Sequence, residues 1–274
     1  MCEPFRNFRK TSFSAKILFV KISAVIIAYN ESRNIGEAIR SVDWADEILV
    51  VDSGSMDDTR EIAESLGARV IDHPWIGFAE QKQFAIQNAE NDRIISLDAD
   101  ERVTTELKNE ILSLTGAGNL KDGYSVPRQT FYRGQKIRYG GWYPDRQLRF
   151  FDRRAGEWTP RAIHESFTLH KGATLGELSG HLLHYTVDSI EQHNRSIAER
   201  YAPLGAKQML TDHKSTSFLN AFLSALGTFI RTYILKAGVL DGRNGLLIAY
   251  FAAHNTLMKH LIFLENRSVG RKTE

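Results

Sequence analysis

The sequence predicts an α/β protein in which a mostly parallel central sheet is flanked by helices and followed by a C-terminal helical appendage. Three observations predict it. Apolar, β-branched runs alternate with segments of helical spacing to about residue 115, acidic and amide residues gather where those runs end, and only helical spacing remains beyond Asp188.

Residues 22–30 form the first β-branched run, ending in Tyr29-Asn30-Glu31, and Ser32 to Val42 then sets Ile35, Ala38, Ile39 and Val42 at helical intervals. The alternation repeats. Glu47 to Asp52 reads as a strand, Ser53 to Asp58 as a polar loop, and Thr59 to Leu66 as a helix closed by Gly67. Arg69 to His73 is a third strand, Phe78 to Ala89 a helix, and Arg93 to Leu97 a fourth strand running into Asp98, Asp100 and Glu101. A helix from Thr104 to Leu114 follows.

From Gly123 to about Tyr185 the chain becomes aromatic, arginine-rich and punctuated by glycine, which predicts hairpins that complete the sheet. Helices are then expected over Ser189 to Met209, Phe218 to Ala237 and Gly245 to Leu264, with loops at Asp212-His213-Lys214 and Leu240-Asp241-Gly242. The chain thus divides into a basic N-terminal extension, 1–21, an α/β domain, 22–187, with halves of about 22–115 and 116–187, and a helical region, 188–274.

Composition allows a packed enzyme: of 274 residues, 42% are hydrophobic and 25% charged. Net charge is only +2, with basic residues such as Arg6, Arg9 and Lys10 leading and Arg267, Arg271 and Lys272 trailing. That asymmetry suits an anionic surface better than a nucleic-acid groove, and solvated ends explain it equally well. The single cysteine, Cys2, cannot close an intrachain disulfide, and a reducing, cytoplasmic setting is expected. Lys16 and Lys21 interrupt the apolar stretch from Phe13 to Ala28, so neither a signal peptide nor a spanning helix is expected.

Asp98 and Asp100 alternate across Ala99 at the end of a buried strand, where two carboxylates can approach one pole. A hard cation that takes oxygen ligands, magnesium or manganese, would relieve their repulsion and bridge a diphosphate. An Asp-x-Asp alone is weak evidence, but ligands of open α/β sheets bind beyond the carboxyl ends of the strands, where this one lies. Asp52 also ends a strand and is expected to contact a ribose or base edge, whereas Asp57 or Asp58 can simply cap the next helix.

Ala28-Tyr29-Asn30-Glu31, Asp52-Ser53-Gly54-Ser55 with Asp57-Asp58-Thr59, and Asp98-Ala99-Asp100, taken in that order, resemble glycosyltransferase family two, whose members have the GT-A fold. Gln147-Leu148-Arg149-Phe150-Phe151 and His164-Glu165 resemble the branch that builds lipopolysaccharide inner core, in particular β-1,4-glucosyltransferases acting on heptose. The resemblance implies a UDP-sugar donor, with Tyr29 and Glu31 bordering uracil and ribose, Asp52 holding the nucleoside, Asp98 serving the donor and Asp100 the metal. The Gln-x-x-Arg-Trp motif of polysaccharide synthases is missing, which argues against processive polymerisation.

The same resemblance implies inversion, in which an acceptor hydroxyl attacks the anomeric carbon and a base takes its proton. Glu165 is the expected base, since it follows the sheet on the acceptor side. His164 and His184 are candidates for metal or diphosphate contact, although a lone histidine beside a strand is more often simply packed. Arg146, Arg149 and Gln147 are candidates for the donor or acceptor, against a plain strand-surface role. The apolar stripe Phe218, Phe222, Phe229, Ile230, Tyr233, Ile234 and Leu235 reads as a helix-packing face, with docking on an anionic bilayer at the cytoplasmic face of the inner membrane as the other reading. A nucleotidyltransferase would need a glycine-rich loop after the first strand, and Tyr29 to Arg33 has no glycine. A non-catalytic sugar-nucleotide binder is the remaining alternative.

Overall fold

The computed structural model describes residues 20–159 and 165–270. The basic segment 1–19 and the candidate His164 lie outside the described residues.

Strand β1 (Ile22–Ala28) is buried along its whole length, as expected of a strand covered on both faces. It pairs in parallel with β2 (Glu47–Asp52) on one side and β4 (Arg93–Asp98) on the other, and β3 (Arg69–Asp72) extends the parallel set beyond β2. Helices α1 (Ile35–Ser41), α2 (Thr59–Ser65) and α3 (Phe78–Asn88) make the crossovers. Their apolar stripes close two cores. Ile35, Ala38 and Ile39 pack with Ile26, Ile95 and Leu97, while Ala79, Ala85 and Ile86 pack with Val25, Leu49 and Ile94.

The second half of the sheet is mixed in direction. β8 (Asp145–Asp152) lies antiparallel between β4 and β6 (Gly123–Tyr132), and β12 (Leu182–Val187) pairs in parallel with β6. The expected hairpin texture is present in the antiparallel pairs β6–β8 and β9 (Gly156–Thr159) with β10 (Ser166–Leu169), and most tightly where β6 turns through Arg133-Gly134 into the two-residue β7 (Gln135–Lys136). Strand β5 (Glu101–Val103), unexpected from the sequence, pairs antiparallel with β12 and brings the acidic segment onto the sheet edge. Helix α4 (Thr105–Ala117) follows, with the Thr104 side chain accepting the Leu107 N–H as its N-cap. Off the main sheet, β9 (Gly156–Thr159) and β10 (Ser166–Leu169) form an antiparallel pair, and β11 (Leu175–Glu177) runs parallel to β6.

The helical region differs from expectation in its breaks. The first segment is α5 (Ile190–Ser196), a π-turn (Ile197–Tyr201) and α6 (Ala202–Thr211), and the second is α7 (Phe218–Ile230) running into another π-turn (Arg231–Leu235). A 3-10 turn (Gly238–Asp241) then leads into the 29-residue α8 (Gly242–Gly270). The stripe on α7 is not a core face. Phe218, Phe222, Ile230, Ile234 and Leu235 are exposed, because α7 packs on α8 through Ala221 and Ala225 instead. Phe218–Leu235 is long and apolar enough to cross a membrane by length and composition, and only 17% of it is buried.

Candidate active site

The carboxyl end of β4 delivers Asp98 into a cluster of ion pairs. Lys82 Nζ, from α3, lies 2.8 Å from Asp98 Oδ1 and 2.8 Å from Glu165 Oε1. The contact with Glu165 is an aligned hydrogen bond, and Asp98 Oδ1 lies equally close to the ammonium. Lys82 is 2% exposed and its ammonium sits 5.0 Å from the Trp158 ring centroid. A buried lysine between two carboxylates fixes both, since neither can leave without stranding a charge.

Arg149 closes the other side. Its Nη2 donates to Asp98 Oδ2 at 3.0 Å and to the fully buried Glu101 Oε1 at 2.9 Å, and Arg128 Nη1 reaches the same Glu101 oxygen at 3.1 Å. The register of β8 explains its aim. Tyr124 pairs with Phe150 and Ser125 with Leu148, so Arg149 is the extra residue of a bulge, a device that turns a side chain out of the ladder. Its Nε and Nη1 remain buried without a hydrogen-bond partner.

Charge in this cluster is locked. Burial would raise the Asp98 carboxyl, but the neighbouring Lys82 and Arg149 charges outweigh it and hold Asp98 well below the ordinary carboxylate range. Burial likewise works against the Arg149 charge, and Glu101 and Asp98 more than offset it, so Arg149 is held above its ordinary value.

Asp98 and Asp100 take different partners. The repulsion a cation was expected to relieve is relieved by Lys82 and Arg149, and Asp100 turns to a separate partner, His184, with Nε2 3.3 Å from Oδ2. His184 reaches it because β12 lies beside β5, His184 opposite Glu101. His184 Nδ1 is buried without a partner. Glu31 belongs to this side too. Burial raises its carboxyl above the ordinary range and the Asp100 charge adds to that, against the lowering hydrogen bond from Asn34.

The fit to a divalent cation rests on this pair. Among the described residues no three His, Cys, Asp or Glu side chains form a ready cage. A cation that arrives on a diphosphate needs only one or two protein ligands, and two adjacent ligands of an octahedral ion stand about 3 Å apart. The 3.3 Å Asp100–His184 pair fits that requirement, whereas Asp98, with both oxygens against cations, does not.

The other expected residues divide. Tyr29 is exposed at the mouth of the β1–α1 loop. Asn30, in the left-handed region at φ 53°, accepts the Met56 N–H, so this loop is laced to the one after β2. Asp52 has no exposed surface, and its carboxylate accepts from the Gly54 and Ser55 N–H groups and from Ser55 Oγ; here it holds the turn. Asp57 accepts from the Ser32 and Thr59 N–H groups, and Asp58 makes no side-chain cap. Gln147 donates to Asp145 Oδ1 at 2.6 Å, beside Arg128. Arg146 does not join the site: its guanidinium donates to Ser125 and to the Leu178 carbonyl.

Lys82, Glu101 and Arg128 are the residues that sequence reasoning missed. Lys82 left a signal, since it falls in line with Ala79, Ala85, Ile86 and Ala89 on the apolar stripe of α3, where a charge has no business without a partner. Glu101 was legible only as a member of the acidic run that ends the fourth strand, and Arg128 left no signal, because their pairing depends on sheet register.

Comparison with known proteins places the chain in a family. The family description Glycosyl transferase family 2 matches residues 23–169. An uncharacterised glycosyltransferase of Rickettsia typhi is 32% identical over 82% of this chain and 80% of its own length. The lipopolysaccharide core biosynthesis glycosyltransferase LpsC of Rhizobium meliloti is 27% identical over 88% of this chain and 93% of its own. A glucosyl-3-phosphoglycerate synthase of Mycobacterium tuberculosis, crystallised with Mn2+, UDP and its product, is 29% identical over 42% of this chain and 44% of that one, with a TM-score of 0.31, too low to carry its ligands across.

Proposed function

The chain belongs to glycosyl transferase family 2, and on that premise we propose that it transfers glucose, with inversion, from UDP-glucose to a hydroxyl of a lipopolysaccharide inner-core heptose. One observation supports this most: Glu165 is tied through Lys82 to Asp98, so a carboxylate on the acceptor side is fixed to the end of the donor-side strand. The similarity to LpsC is what suggests lipopolysaccharide core as the acceptor.

In the proposed reaction the acceptor oxygen attacks the anomeric carbon from the face opposite the diphosphate. The new carbon–oxygen bond forms as the bond to the diphosphate breaks, the hydroxyl proton passes to Glu165, and UDP leaves. Lys82 orients Glu165 through its hydrogen bond. The two unpartnered N–H groups of Arg149 have donor capacity for the diphosphate, and Tyr29 offers an exposed ring to the base. Asp52 is proposed to serve the nucleoside by shaping the Ser53–Ser55 turn. Asp100 and His184 would hold a magnesium or manganese ion, which when bound stabilises charge on the leaving diphosphate.

A panel of nucleotide sugars, screened by thermal shift with manganese and then by transfer to heptose-terminated core oligosaccharide, tests the reading. UDP-glucose is expected to stabilise the protein most and to label the core. Stabilisation by another nucleotide sugar, or transfer only to other acceptors, would replace the donor or the acceptor named here.

A further inference from the structure

Helix α7 is built inside out for a soluble helix. Its small residues, Ala221 and Ala225, are the buried ones, while Phe218, Leu219, Phe222, Leu223, Leu226 and Ile230 face outward, each at least 40% exposed. At 3.6 residues per turn these six cover a sector of about 140°. Asn220, Ser224 and Arg231 fall on its polar flank. Leu235 at 76% and Leu240 at 65% exposure prolong the apolar surface through the π-turn and the 3-10 turn that follow.

The charges around this surface are mostly of one sign. Between His213 and Leu264 the only acidic residue is Asp241, which is 5% exposed and accepts the backbone N–H groups of Arg138 and Tyr139. Arg231, Lys236 and Arg243 are exposed, whereas Lys214, also exposed, faces Asp212 at 3.5 Å. An outward apolar sector beside unopposed cations is complementary to an anionic bilayer: the side chains enter the acyl boundary while the cations meet the headgroups. A spanning helix would be apolar all round, which the polar flank contradicts.

We propose that α7 and its π-turn dock in the plane of an anionic lipid bilayer. The anchor is coupled to the catalytic domain, because Gly140 N–H donates to the Lys236 carbonyl and Asp241 holds Arg138 and Tyr139, so the loop leading into β8 and Arg149 is fixed to the docking helix. This inference does not depend on the donor or acceptor proposed above.

Flotation of the full chain with phosphatidylcholine vesicles, with and without phosphatidylglycerol, tests it without any sugar. The protein is expected to float with the anionic vesicles, at least about tenfold less with phosphatidylcholine alone, and less as salt rises. A Phe222→Ser/Leu226→Ser double variant is expected to lose flotation. Arg231→Gln and Lys236→Gln should each weaken it about fivefold, and Leu175→Ser, an exposed apolar residue elsewhere, should leave it unchanged. The proposal is overturned if the wild type stays with the unbound fraction at low salt, or if the double variant still floats. It is equally overturned if light scattering shows a dimer that the double variant dissociates, or if the bound protein resists alkaline carbonate as a spanning helix would.

Discussion

At the scale of single residues the account turns on Lys82. Its ammonium offsets two carboxylates that would otherwise repel each other and pins Glu165 relative to Asp98. Lys82→Met should therefore cost stability, about 3 kcal/mol by urea denaturation, and should slow sugar transfer by about 10²-fold through misplacement of Glu165. Lys82→Arg should recover part of both. A Lys82→Met protein with wild-type stability and turnover would mean that the cluster is neither structural nor positioning. Residue identities in the site were partly legible in the sequence. Asp98, Asp100, Arg149 and Glu165 could be picked out from strand ends and motifs, but their partners could not, since Asp98 meets Lys82 across α3 and Asp100 meets His184 across β12. Spacing along a chain carries no information about which of two nearby carboxylates finds which cation.

At the scale of elements, strands and helices through residue 117 follow the expected order closely, because each apolar run is bounded by a cap, a glycine or a polar loop. The mixed half was less legible. β5 and β12 are short, and the direction of β6, β8 and β12 is fixed by long-range pairing that no local period records. The π-turns were invisible for a similar reason: one residue more per turn does not disturb an apolar stripe enough to be read. One of them adjoins a testable packing element. His193, on α5, stands with Nδ1 3.0 Å from Tyr132 Oη and stacks near Phe251 of α8, and burial, with the His254 charge adding to it, pushes its pKa down to about 4. Unfolded His193 binds a proton below about pH 6.5 where the folded residue does not. Stability from this group is thus complete above pH 6.5 and is lost as pH falls toward about 4. Thermal melts across that window should show a falling Tm that His193→Gln flattens; identical slopes in both proteins would remove His193 from the docking of the helices on the sheet.

At the scale of the whole molecule, the parallel half of the sheet ends in the loops after β1, β2 and β4, the mixed half contributes Arg149 and His184, Glu165 comes from the segment entering the separate β9–β10 pair, and the helical region carries the apolar face. Lys82 and Arg149 join these parts at the end of β4, where the proposed donor and the proposed base would meet. The proposed cation belongs at that junction. Asp100→Asn should abolish the manganese-dependent part of donor stabilisation in thermal shift while sparing the fold, because Asp100 lies against His184 and has no place in the Lys82 cluster. Unchanged manganese dependence in that variant would move the metal elsewhere. The most direct test of the central claim is the rate of glucose transfer by Glu165→Gln beside its affinity for UDP-glucose. The account predicts a rate lowered by about 10²- to 10⁴-fold with donor affinity held within about twofold. Full turnover by the variant would contradict it.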